Sequence, residues 1–268
     1  MTSKSLFKNR FVAFVDILGF QDIVQRMATT PELFDTVRDA LTTIRDQSNA
    51  FGKYRAEKRD LSKKRAARGK KSSRPTDIAM TAFSDCYVVS EGEDVWRVLA
   101  GVQALGTRLL SQGILCRGGI VRGPAYHRND ILFGQAIVDA YKLEKDVAKY
   151  PRILVTEEVR KAGWYYHEGR WKEQLFTQDH DGCWFLNLLT PSYSQWKPLS
   201  NHETSSRELL RKVRTQLVQS IRTSGNDLNL LSKFHWLGNY FNEAAKKVGH
   251  VDLIEFPSQG DGGSDDPE

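Results

Sequence analysis

Cysteine is scarce in this chain. Its three cysteines in 268 residues, Cys86, Cys116 and Cys183, are scattered and lack metal-binding spacing. No disulfide framework follows from them, and a reducing, cytoplasmic compartment is expected. Long apolar runs are missing as well: no window approaches the ~20 apolar residues of a membrane span. The opening MTSKSLFKNR passes straight into an apolar strand, so no secretory signal is expected. The six histidines (His127, His167, His180, His202, His235, His250) show no zinc spacing, which leaves them surface or core roles. No internal repeat is found. With 40% apolar and 27% charged residues, the chain reads as globular and long enough for a substantial core.

The net charge of +6 belongs to one segment. Residues 53 to 74 hold 11 Lys or Arg against Glu57 and Asp60, a local +9 that leaves −3 for the rest. A single aromatic, Tyr54, and no recognition module argue against a nucleic-acid arm, so this stretch reads as a solvated helix end and loop.

Periodicity gives the order of elements. FVAFVDILGF alternates Phe11, Ala13, Val15 and Ile17 with Val12, Phe14, Asp16 and Leu18, apolar on both faces like a covered central strand. A short helix, QDIVQRMA, follows. A second is capped at Thr30 with Pro31 in its first position and turns Phe34, Val37, Leu41 and Ile44 inward. DIAMTAF and CYVVSE form a hairpin across Ser84 and Asp85. A helix over 94–112 carries Val95, Val98, Val102, Leu105 and Leu109 on one stripe. LCRGGIVRG is a strand in which Gly118, Gly119 and Gly123 read as close packing. FGQAIVDAYKLEKDVAKY is a helix with Ala136, Ile137, Ala140, Tyr141 and Leu143 inward, ended by Pro151. RILVTEEV is the next strand, with weaker strands at RWKEQLFT and CWFLNLL.

This order predicts an α+β, ferredoxin-like fold: a mixed, mostly antiparallel sheet with helices mainly on one face. The expected division is a catalytic domain over 9–200, a helical extension over 201–250 that packs on the domain or on a partner subunit, and a flexible acidic tail over 251–268.

Asp16 is the anomaly of the first strand, because an ionised carboxylate among apolar residues needs compensation. In this layout the strand end and the hairpin tip carrying Asp85 lie side by side. Two adjacent carboxylates repel unless cations sit between them. Hard divalent ions suit such a pair, and the arrangement is the minimal protein part of a two-metal phosphoryl-transfer site. A turn Asp accepting its own backbone amide is the plainer alternative. Cys86 has no base nearby in sequence and reads as core filler.

FVDILGFQDIV, AFSDCYVVS, RGGIVRGPAY and FGQAIVDAYKLE, in this order, resemble the catalytic domain of class III nucleotide cyclases over about residues 9 to 160. The resemblance implies two Mn²⁺ or Mg²⁺ ions held by Asp16, Asp85 and the carbonyl of Ile17. It also implies triphosphate contacts from the amides of Gly19, Phe20 and Gln21 and from Arg117. The family's base-reading pair, Lys and Asp for adenine or Glu and Cys for guanine, falls on Thr81 and Gln135, which suits neither purine. The Asn and Arg that stabilise the transition state fall on Val138 and Lys142; the charge is kept, the Asn is not. Arg122 or Arg152 takes the cationic role if the helix alignment shifts by a turn.

RGGI, AYKLEK, YPRILVT and FHWLGNYFNE resemble one subgroup more closely, the bacterial uridylate and cytidylate cyclases of Pycsar anti-phage systems, over nearly the whole chain. That implies a homodimer with two composite sites, a nucleoside triphosphate substrate, and a cyclic nucleotide product acting on a separate effector. UTP is the expected substrate. CTP, a purine substrate, or a non-catalytic nucleotide-binding module remain the alternatives.

Overall fold

The computed structural model describes residues 6–42, 77–128, 131–165, 175–189, 206–225 and 227–256. The basic stretch 53–74, Ile44, the first residues of RWKEQLFT and the tail beyond 256 lie outside them.

Strand β1 (Lys8–Ile17) is followed by α1 (Phe20–Met27) and α2 (31–42). The hairpin of β2 (Ala79–Phe83) and β3 (Cys86–Glu91), helix α3 (Val95–Leu110) and strand β4 (Cys116–Arg128) complete a β-α-β-β-α-β unit. β1 lies between β3 and β4, antiparallel to both, and the order β2-β3-β1-β4 is ferredoxin-like. Beyond β4 the sheet continues through β6 (Ile153–Val155), which runs parallel to β4, then β8 (Trp184–Leu186) and β7 (Phe176–Gln178). β5 (Ile131–Phe133) pairs only with the far end of β4.

β1 is central because both its faces are apolar. Phe11, Ala13, Val15 and Ile17 enter the large core with α3, while Val12 joins Val88 and Val121 on the other face. That second face is covered too, as the two apolar faces of β1 lead one to expect. Helix α4 (Gln135–Lys142) covers it with Ala136 and Ala140. The glycine pair makes the seat: a Cβ on Gly119 would stand 2.7 Å from the Ala140 carbonyl and 2.8 Å from Leu143 Cβ. Gly119→Ala is expected to destabilise the fold by about 1–3 kcal/mol through overpacking, read as a lower urea midpoint.

Three local readings need correction. Phe34 is 53% exposed; α2 buries Val37, as expected, together with Ala40. Tyr141 is half-exposed and lies edge-on to Phe14 at 5.5 Å between centroids. The strand at RILVTEEV stops at Val155, and Glu157–Tyr165 is helix α5. Two glutamates in a first turn favour a helix start through its dipole.

Helices α6 (Ser206–Thr223) and α7 (Leu228–Val248) bury Leu210, Val213, Leu237 and Phe241 in the same core as the sheet. Helix α7 is tied in at Arg152, 1% exposed, which pairs with Asp179 and Asp181 and lies over the rings of Tyr150 and Trp236. The first residues assigned to the flexible tail are held in place. Asn242 Nδ2 donates to the Ile254 carbonyl at 2.9 Å and Ile254 N–H donates back to Asn242 Oδ1 at 2.8 Å. No described helix is long and apolar enough to cross a membrane.

Candidate active site

The end of β1 and the β2–β3 turn are joined by one backbone bond. The Ile17 N–H donates to the Asp85 carbonyl at 2.9 Å, and Ser84 closes the turn at φ 55°. In the antiparallel register Asp16 stands opposite Cys86 on one side and Arg117 on the other. As a result, one carboxylate oxygen each from Asp16 and Asp85 and the Cys86 sulfur all lie within 4.8 Å of one another.

The electrostatics of this cluster follow from burial. Desolvation raises the Asp16 carboxyl above its ordinary range; Arg117 opposes the shift and Asp85 adds to it. Burial, then Asp85 and Asp16, push the Cys86 thiol up to about 12. Cys86 therefore carries its proton and donates toward Asp85 Oδ1 (3.5 Å) and Asp16 Oδ1 (3.9 Å). Sequence had placed it as filler, but it belongs to the site. The donor set is two carboxylates with a protonated thiol, which fits a hard divalent cation on oxygen rather than a thiophilic one on sulfur.

Arg117 faces two acids. Its Nε lies 3.6 Å from Asp16 Oδ2 and 2.5 Å from Glu144 Oε1. Glu144 is 2% exposed, and burial raises its carboxyl. It was not singled out from sequence. It reaches Arg117 because α4 runs on into a π-type turn at Leu143–Val147, closed by the Ala148 N–H to the Leu143 carbonyl at 3.0 Å. Such turns concentrate at functional sites.

Directly after β1, Gly19 takes a left-handed φ of 69° and α1 begins at Phe20. A helix start leaves its first N–H groups without partners inside the helix, so the amides of Gly19, Phe20 and Gln21 form an anion-favouring end beside the carboxylates.

Asp16, Ile17, Asp85, Arg117 and Gly19–Gln21 thus share one end of the sheet. Thr81 does not join them: through Val88 and Phe14 it lies two strands across and one pleat along from Asp16, about 12 Å away on the same face. Gln135 is farther. Its neighbour Ala136 packs on Gly123, which pairs with Arg10, six residues before Asp16 and about 20 Å along β1. The Gln135 amide donates to Asp139 Oδ1 at 2.7 Å. Lys142 is exposed at the end of α4, with no ion-pair partner among the described residues. Of the alternative cations, Arg152 is buried in its two ion pairs and Arg122 pairs with Glu158 at 3.2 Å.

No family model and no curated protein matches the chain. Among solved structures, a bacterial light-regulated adenylyl cyclase aligns at 13% identity and TM-score 0.39, covering 80% of this chain and 59% of that one. The monomeric guanylyl cyclase domain of a RhoGC fusion protein from the aquatic fungus Blastocladiella emersonii aligns at 18% identity and TM-score 0.37, covering 68% and 95%. The catalytic core of a rhodopsin-guanylyl cyclase with converted specificity, in complex with ATPalphaS, aligns at 16% and 0.35, covering 68% and 97%. At these similarities nothing about activity is taken from them, and the fold rests on the strand register itself.

Proposed function

We propose that the chain is a nucleotide cyclase converting UTP to 3′,5′-cyclic UMP and pyrophosphate. The observation that carries this is the meeting of Asp16, at the end of β1, and Asp85, in the β2–β3 turn, beside a helix start and a guanidinium. Asp16, Asp85 and the Ile17 carbonyl would hold two Mn²⁺ or Mg²⁺ ions. Such ions, when bound, lower the pKa of a ribose 3′-hydroxyl and neutralise phosphate charge.

The chain's own residues supply the rest. The α1 amides take the triphosphate oxygens, and Arg117 approaches them while Glu144 holds its Nε side. The 3′-oxygen attacks the α-phosphorus, its proton passes to solvent, and pyrophosphate leaves. Lys142 neutralises the charge that develops, as a point charge without the planar fork of Arg. Because Gln135 lies far from Asp16 within one chain, a complete site draws α4 from a second copy. Half-exposed Val138, Ile131 and Phe133 offer apolar surface around that helix. In this reading the product signals to a separate effector in anti-phage defence.

Incubation with ATP, GTP, CTP and UTP separately, with Mn²⁺, tests the proposal by mass analysis of the products. Cyclic UMP is expected, with UTP favoured over either purine by about 100-fold or more, since lost hydrogen bonds discriminate strongly. Equal turnover of ATP or GTP identifies a purine cyclase. No pyrophosphate from any of the four identifies a non-catalytic binding module.

A further inference from the structure

A line of hydrogen bonds crosses the second face of the sheet and ends at Thr81. Arg10, 1% exposed, donates from Nε to Ser90 Oγ at 2.9 Å and from Nη1 to Asp77 Oδ2 at 2.8 Å. Ser90 Oγ lies 2.8 Å from His127 Nδ1, and His127 Nε2 lies 3.0 Å from Thr81 Oγ1. His127 is itself 2% exposed.

The direction of each bond follows from the donor inventory. A guanidinium only donates, so Ser90 Oγ accepts from Arg10. Ser90 is fully buried, and its own proton needs an acceptor. Among the described residues only His127 Nδ1 is in reach of it. Nδ1 therefore offers its lone pair, the ring proton sits on Nε2, and Nε2–H donates to Thr81 Oγ1. The Thr81 hydroxyl proton is then left without an acceptor among the described residues, on a half-exposed side chain.

We infer that His127 is the positioning residue that fixes Thr81 as a hydrogen-bond donor toward the nucleotide base. The base edge met there carries an acceptor, the carbonyl of uracil rather than the amino group of cytosine. This rests on the cyclase reading above and on the resemblance that puts Thr81 at a base-reading position. The remaining Thr81 lone pair can accept from an amino group, but the hydroxyl proton is then stranded, so cytosine is disfavoured rather than barred.

Two readouts on the full chain test this. Long-range ¹H–¹⁵N spectra of histidine-labelled protein, with His127 assigned by signal loss in His127→Gln, are expected to show a protonated Nε2 and a bare Nδ1. In Ser90→Ala the ring loses the proton that selects this tautomer, and its two nitrogens should shift toward averaged values. A wild-type ring protonated on Nδ1, or on both nitrogens, overturns the relay. In kinetics, the UTP to CTP ratio of kcat/KM is expected to fall about 10-fold in Ser90→Ala and Thr81→Val. His127→Gln, whose amide nitrogen still donates from the Nε2 position, should keep the ratio, and His127→Phe should lose it. An unchanged ratio in both Ser90→Ala and Thr81→Val overturns the base-facing role even with the tautomer as assigned. If the wild type shows that tautomer and turns over no nucleoside triphosphate, the cyclase reading fails and the base-facing role fails with it, while the ring assignment stands. Should His127→Phe not fold, Ser90→Ala decides, since it removes a single hydroxyl.

Discussion

Asp16→Ala and Asp85→Ala are each expected to lower cyclic nucleotide formation by about 10³-fold or more, because either change dismantles the oxygen pair that would hold the divalent ions. Neither should unfold the protein. The Asp16 carboxyl is raised above its ordinary value chiefly by burial. The folded chain therefore holds that proton more tightly than the unfolded chain does. This contribution to stability is fully present below the unfolded value near 3.8 and is lost as pH rises through the raised folded value. Above that raised value the metal-free protein has lost it. Asp16→Ala removes the group and its penalty together, so its metal-free urea midpoint should equal or exceed that of the wild type at pH 7. Both proteins should gain stability on mild acidification, because the buried Glu144 carboxyl is raised as well, and the wild type should gain more. Near-normal activity in either variant ends the two-metal reading, and a collapsed midpoint in both assigns the pair a structural role instead.

Much of this site was legible in the sequence because it depends on short-range pattern. The two-faced alternation of residues 11–17 placed β1 between neighbours, and the Ser84–Asp85 turn fixed the hairpin register. With them the strand end and the hairpin tip come side by side, and the β1–β3 register in the structure sets Asp16 opposite Cys86 and Asp85 beside Ile17. What escaped depends on contacts between distant segments. Glu144 reaches Arg117 only because α4 widens into a π-type turn after crossing the second face, and its place in the sequence carries no sign of that. His127 gave no metal spacing, and its role appears only where β4 brings it against Ser90 and Thr81. Phe34 and Tyr141 were misread because an apolar residue at helical spacing carries no record of whether a partner element covers it. Arg152 looked available for catalysis until Asp179 and Asp181 were placed around it.

The composite site makes the second large effect. Asp85→Ala and Lys142→Ala should each be nearly inactive alone, the first for want of metal ligands and the second for want of charge at the transition state. In a two-fold dimer whose sites take Asp85 from one copy and Lys142 from the other, the mixed dimer holds one doubly damaged site and one intact site. Random reassociation of equal amounts makes half the dimers mixed, so about a quarter of wild-type activity should return. Sites confined to single chains predict no recovery under the same exchange. The reverse mixture, wild type with an Asp85→Ala/Lys142→Ala chain, separates the two cases again. Shared sites leave every mixed dimer with two damaged sites, so only the remaining wild-type dimers work and activity falls to about a quarter, whereas single-chain sites keep about half. Gln135 decides which is expected. It starts the helix that ends in Lys142, and about 20 Å of β1 separate it from Asp16 in its own chain. The shared-site reading takes the first turn of α4 from a facing copy, whereas the single-chain reading keeps Lys142 near its own Arg117, on which Glu144 already sits, and the two mixtures tell them apart.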